Sequence, residues 1–161
     1  MAAPEQLFDA HVFAAAIGGS GTLLGLDPGT KTIGVAISDV DRTLASPLTT
    51  IRRSKFHRDA GTLVDIIARE VVCGLVIGMP FNMDGTAGPR AQSVRAFRRA
   101  LAEYIDLPML FWDERLSSDV ASETLRDAGK TNRQREAMID AAAAAHILGD
   151  CLVHLRDITN Q

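Results

Sequence analysis

The sequence is poor in the features that make several functional classes easy to recognise. It has two cysteines, Cys73 and Cys151, far apart and each among apolar residues. With no Cys-x-x-Cys pair, the pattern argues against a disulfide scaffold or a cysteine metal site. It fits buried, reduced thiols in a cytoplasmic protein. Its histidines, His11, His57, His146 and His154, show neither a His-Glu-x-x-His nor a zinc-finger spacing. No Walker A phosphate loop occurs, and Gly18-Gly19-Ser20-Gly21 precedes a strand instead of following one, so it is not a dinucleotide fingerprint. No stretch approaches the ~18 consecutive apolar residues of a membrane span. Glu5 and Asp9 stand where a secretory leader carries positive charge. A net charge of −3 rules out an overall cationic coat and leaves room only for a local basic face.

What is present is ordinary for a globular protein. At 161 residues the chain suits one domain with a sizeable core. Residues 22–161 carry the domain, and 1–21 read as an N-terminal extension. Within it, 4–17 suit a short amphipathic helix and 18–21 a flexible joint.

Two apolar runs, 22–27 and 33–38, flank a Pro-Gly turn and predict a β-hairpin. A third strand is expected over 43–51, with Pro47 marking an edge or bulged position. Links this short make the three strands antiparallel. A basic cluster follows, with Arg52 and Arg53 at its start, suited either to a solvated loop or to contact with a phosphate backbone. An amphipathic helix is predicted over 57–70 and a strand buried on both faces over 71–78, so the connection is a crossover to a parallel strand. The turn-rich loop 78–89 lies at the carboxyl end of that strand, where ligand sites of open α/β sheets gather. Pro89 suits the first turn of the next helix. That helix carries Arg95, Arg98 and Arg99 on one face, either solvated or tracking phosphates. A strand over 107–112 follows, then Asp113-Glu114-Arg115. A helix is expected from there through Leu125, closed by Gly129. Thr131 and Gln134 have the spacing of a capping box opening a last helix, over about 133–155.

Three acids stand where function is legible. Asp27 ends the first strand, and either caps the turn or serves as a metal-binding carboxylate. Glu114 or Asp113 follows the last strand, and alternation lets only one of them face Asp27. Asp140 lies on the apolar stripe of the last helix, four residues before Ala144, where burial demands a partner: a metal ion or an arginine. Carboxylates of this kind bind Mg²⁺ or Mn²⁺ through oxygen. Two such ions can activate water and steady the leaving oxygen of a phosphodiester.

Four segments carry a family resemblance: Leu24-Gly25-Leu26-Asp27-Pro28-Gly29-Thr30-Lys31-Thr32-Ile33-Gly34-Val35-Ala36, Gly78-Met79-Pro80-Phe81-Asn82-Met83-Asp84-Gly85-Thr86, Asp113-Glu114-Arg115-Leu116-Ser117-Ser118 and Ile139-Asp140-Ala141-Ala142-Ala143. Together they resemble the YqgF (RuvX) family of the ribonuclease H-like superfamily, over roughly 22–156. The resemblance implies an α/β fold with a five-stranded mixed sheet, order 3-2-1-4-5, and helices on both faces. It implies a metal-dependent nuclease, described for the family both as a resolvase of Holliday junctions and as a factor maturing the 5′ end of pre-16S rRNA. Asp27, Glu114 and Asp140 fall on its acids, with Asp113 in reserve. Lys31 and Arg115 fall on its basic positions. The family commonly has Thr-Thr where Ser117-Ser118 stand here. The expected partners are pre-16S rRNA or branched DNA, and ribosomal particles. A homodimer suits a resolvase and a monomer suits RNA trimming. Two other readings compete. One is an actin-like or sugar-kinase fragment, whose phosphate hairpin resembles Asp27-Pro28-Gly29-Thr30 but whose fold needs two copies. The other is a non-catalytic ribosome-assembly factor that binds nucleic acid and keeps the fold.

Overall fold

The computed structural model describes residues 4–116 and 132–160. The hairpin forms as expected from β1 (Thr22–Pro28) and β2 (Thr32–Ser38), and β3 (Ala45–Arg52) adds antiparallel to β2. Pro47 sits at a register shift: Val35 lies opposite Thr49 but Ala36 opposite Pro47. An edge strand tolerates this because Pro has no N–H to give the ladder. Helix α2 (Phe56–Glu70) then crosses to β4 (Val72–Met79), and α3 (Pro89–Leu101) to β5 (Met109–Asp113). Both strands are parallel to β1, and the sheet order is β3-β2-β1-β4-β5. The last helix, α4, is Asn132–Thr159. The helix expected through Leu125 and Gly129, and Thr131 of the capping box, lie outside the described residues.

Alternation along β1 divides two cores. Leu24 and Leu26 face α2 and α3, whereas Leu23, Gly25 and Asp27 face α4. Glycine sets how close α4 comes. A Cβ on Gly34 would lie 2.0 Å from the Asp140 carbonyl oxygen, and one on Gly25 would lie 2.8 Å from the Leu148 Cβ. The stripe expected on this helix is buried at Ala144, Ile147, Leu148, Cys151, Leu152 and Leu155. The Thr50 hydroxyl also donates to the Ala137 carbonyl, tying α4 to the edge strand.

The expectation of a flexible joint at 18–21 is corrected. Helix α1 (Ala10–Ile17), capped by Asp9, packs Phe13 and Ile17 into the α4-side core. The stretch after it is gripped by the buried guanidinium of Arg42. Arg42 donates from Nε to the Gly21 carbonyl (2.8 Å), from Nη1 to Gly18 (2.7 Å), and from Nη2 to Ile17 (2.9 Å) and Ser20 (2.8 Å). Carbonyls left open at a helix C-terminus are strong acceptors, and a guanidinium has the donors to meet several at once. A glycine-rich stretch is flexible only where nothing holds it.

Candidate active site

The first-strand acid keeps its place because the turn beyond it closes itself. The Gly29 N–H donates to the Thr32 carbonyl (2.8 Å), and Arg53 Nη1 donates to the Gly29 carbonyl (2.7 Å). The Asp27 carboxylate meets Glu114 instead. The Asp27 side chain therefore does not cap the turn. Burial raises the Asp27 pKa above the usual carboxylate range, and the Asp140 charge adds to the rise.

Alternation along β5 settles which of the two neighbouring acids faces Asp27. Leu110 belongs to the α4-side core and Phe111 to the opposite one. The chain keeps that alternation into the 3-10 turn Glu114–Leu116. Glu114 therefore lies over Gly78, where a Cβ would stand 2.8 Å from Glu114 Oε1. Gly78 leaves the room the carboxylate occupies. Oε1 is buried without a hydrogen-bond partner, and the Glu114 pKa is pushed up to about 8 by burial, then by the charge of Asp27. Asp113 points elsewhere. It accepts from the Arg115 side chain at Nε (3.0 Å) and Nη2 (2.5 Å), which holds its pKa below the ordinary value.

Asp140 is placed by α4 over the hairpin. Thr32 donates its hydroxyl to Asp140 Oδ2 at 2.6 Å. No arginine among the described residues pairs with Asp140. Its charge reaches Asp27, yet among the described residues no three His, Cys, Asp or Glu side chains already stand as a ready metal cluster. The geometry is a touching pair, Asp27 and Glu114, with Asp140 beside it on its own hydroxyl.

The basic residues divide by what they already hold. Lys31 is exposed in the β1–β2 turn and Arg52 exposed at the end of β3, opposite Thr32. Arg53 is committed to the Gly29 carbonyl and lies 5.6 Å from the Phe97 ring. Arg95 lies 5.5 Å over Phe8. Arg98 and Arg99 sit in the last turn of α3. They are about 12 Å along the axis from the helix start that borders Glu114. Arg98 lines a cleft there with Leu7 and Phe13. Arg95 and Arg98 thus already have neighbours, whereas Arg99 is exposed. Arg115 stacks 5.5 Å over Phe81, which touches Phe8, with ring centroids 5.7 Å apart.

Two residues near the acids were not among the expected site residues. Thr32 holds Asp140. Arg90, in the first turn of α3, brings its positive charge to bear on both Asp27 and Glu114. The available clue was Pro89, which marks where the helix begins and so which side chains lie beside the 78–89 loop.

The chemistry of this donor set suits a hard divalent cation. Two acids meet at the ends of β1 and β5 with a third beside them on α4, and one buried carboxylate oxygen has no partner. Residues 21–154 match the family model described as RuvX: Holliday junction resolvase. A protein of Paracoccus denitrificans (strain Pd 1222) is 50% identical over 146 residues, covering 91% of this chain and 92% of its own; its name is "Putative pre-16S rRNA nuclease". One of the same name from Ruegeria pomeroyi is 49% identical, covering 91% and 95%. In fold, the chain resembles RuvC of T. thermophilus solved with a Holliday junction substrate, with a TM-score of 0.53 at 12% identity, covering 88% of this chain and 97% of that one.

Proposed function

The chain belongs to the RuvX family and has the ribonuclease H-like fold, and we propose that it is a divalent-metal-dependent nuclease that trims the 5′ end of pre-16S rRNA. Hydrolysis of phosphodiester bonds in nucleic acid is the activity of this family, and the relatives named for pre-16S rRNA favour the ribosomal substrate. The observation that carries the reading is the Asp27–Glu114 contact, in which one buried carboxylate oxygen has no partner. A site that lifts two acids above their usual pKa is costly to ionise until a cation arrives. We assign Mg²⁺ or Mn²⁺ to that place, held by Asp27, Glu114 and Asp140. When bound, the ions supply Lewis-acid stabilisation of charge on the phosphoryl group and make water a competent nucleophile.

The chain's own residues do the remainder. Thr32 orients Asp140 through its hydroxyl. Gly78 gives Glu114 its seat, and Gly34 lets α4 bring Asp140 down onto the hairpin. Lys31, Arg52 and Arg115 lie at the same end of the sheet as the acids and are proposed to meet backbone phosphates. Arg53, Arg95 and Arg98 are proposed to serve the fold first, since carbonyl, ring or apolar neighbours already engage them; Arg99 stays exposed in the last turn of α3. Free thiols at Cys73 and Cys151 support a reducing, cytoplasmic setting.

A cleavage assay with Mg²⁺ or Mn²⁺, offering a pre-16S 5′-leader RNA and a four-way DNA junction side by side, tests the reading. The expected result is cut RNA with an intact junction, and loss of cutting by about a hundredfold or more in Asp27→Asn, with its circular dichroism spectrum unchanged. Paired symmetric nicks in the junction, with the RNA untouched, would make the protein a resolvase acting as a dimer. Wild-type cleavage by Asp27→Asn would refute the site.

A further inference from the structure

Two clefts flank the acids, and Arg90 is the residue they share. One, about 460 Å³, is lined by the β1–β2 turn at Pro28, Gly29 and Thr30 and by Arg53 and Ser54. The other, about 480 Å³, is lined by Phe81, Asn82, Met83, Glu114 and Arg115. The second is preformed. Its loop bonds to itself, with Asn82 N donating to the Thr86 carbonyl (3.0 Å) and Thr86 Oγ1 donating to Asp84 (2.6 Å). Gly85 supplies the left-handed turn, φ 89°.

Arg90 differs from the two other arginines that line these clefts. Arg53 is held by a carbonyl and Arg115 by a carboxylate. Arg90 is exposed and, among the described residues, has neither a hydrogen bond nor an ion pair, while its charge acts on both Asp27 and Glu114. A phosphodiester brought to this site meets carboxylates that repel it. A cation already neutralised by a carboxylate offsets that repulsion weakly. A guanidinium with no carboxylate partner offsets more of it and offers two parallel donors to phosphate oxygens.

We propose that Arg90 is the residue that holds the backbone phosphate beside the bond to be cut, and that the strand runs across it from the 28–30 cleft to the 81–83 cleft. This rests on the nuclease reading of the acids and names a contact the sequence motifs do not. A phosphate contact made alike before and during reaction changes binding and KM more than kcat. It also contributes one released counterion to the salt dependence.

The test measures binding of the leader RNA and of the four-way junction by anisotropy in EDTA across a salt series, then KM and kcat for whichever is cut. Arg90→Ala is expected to raise Kd and KM about tenfold. It should leave kcat within about threefold and flatten the slope of log K against log salt by about 0.7 to 0.9. Arg90→Lys should restore the slope but only part of the affinity. Arg69→Ala, which removes an equal charge from the last turn of α2, should move neither. Wild-type Kd and slope in Arg90→Ala, or equal losses in Arg69→Ala, would overturn the proposal. Both binding readouts are taken without cleavage, so they decide Arg90 even if Asp27→Asn still cuts.

Discussion

Glu114 is held where its ionised form has no donor of its own. Its pKa, about 8 against an ordinary 4.5, means that the folded protein keeps a proton the unfolded chain has released. The sign follows: the unfolded state binds fewer protons between these values, so metal-free stability falls as pH rises from about 4.5 through about 8. Asp27, also raised, pushes the same way. Thermal melts in EDTA from pH 5 to 8 should show a decline in the wild type that is visibly shallower in Glu114→Gln. Equal slopes would mean the two acids do not share a site in solution. At this scale the sequence was partly legible. Asp27 was readable as a lone carboxylate ending an apolar strand. The choice of Glu114 over Asp113 came only with the family resemblance, because from the residues it depends on β5 keeping its alternation into a 3-10 turn, and nothing local to Asp-Glu-Arg shows where the strand stops. Arg90 was missed for the opposite reason. The spacing of Arg95, Arg98 and Arg99 is visible in the chain, whereas nearness to Glu114 is set by where α3 begins.

Helix α4 reaches the hairpin only because Gly34 has no side chain. The alanines of 141–145 announced a close helix, but the strand glycines that receive it read as ordinary strand residues until the helix is seen above them. Gly34→Ala must push the Asp140 backbone away by more than an ångström, since the new Cβ would lie 2.0 Å from its carbonyl oxygen. Overpacking of this kind costs about 1–3 kcal/mol. That corresponds to a fall of about 5 °C in Tm for a chain of this size. Activity should fall further than stability, because the displaced residue is Asp140 itself. Gly61 makes the contrast. It lies within α2, and a Cβ there meets nothing within 4 Å. Gly61→Ala should stabilise the protein by about 0.5–1 kcal/mol through the unfolded state and leave cleavage unchanged. Paired melting and cleavage measurements check both. A Gly34→Ala protein with wild-type Tm and activity would show that α4 has slack the geometry denies it.

Across the whole molecule, the N-terminal segment is bound to the fold at two places. Arg42 grips its C-terminal end through four backbone carbonyls, and Phe8 stacks with Phe81 and Phe111 at the other end, beside the active-site loop. No reading of 1–21 by itself could find this, because the donor lies in the β2–β3 turn, 21 to 25 residues away from the carbonyls. The strand pattern and the crossovers were legible from periodicity and link length; the sheet order came with the family resemblance. The clamp was not, since one arginine in a turn looks like any solvated charge. Arg42→Ala leaves one buried and three part-buried carbonyls without their donor and should cost about 3 kcal/mol. Limited proteolysis should then cut near residues 17–21 before the rest of the chain. Unchanged melting and protection would mean that apolar packing alone holds the segment.

The central claim is that Asp27 and Glu114 form a divalent-cation site. It is tested most directly by melting wild type, Asp27→Asn and Glu114→Gln at pH 7.5 with and without Mn²⁺. Ligand at a hundredfold above its Kd adds about 2.7 kcal/mol. The wild type should therefore gain about 5–10 °C. Both variants should gain little, and Glu114→Gln should start above the wild type in EDTA because it need not take up a proton on folding. An equal Mn²⁺ gain in all three proteins would contradict the account.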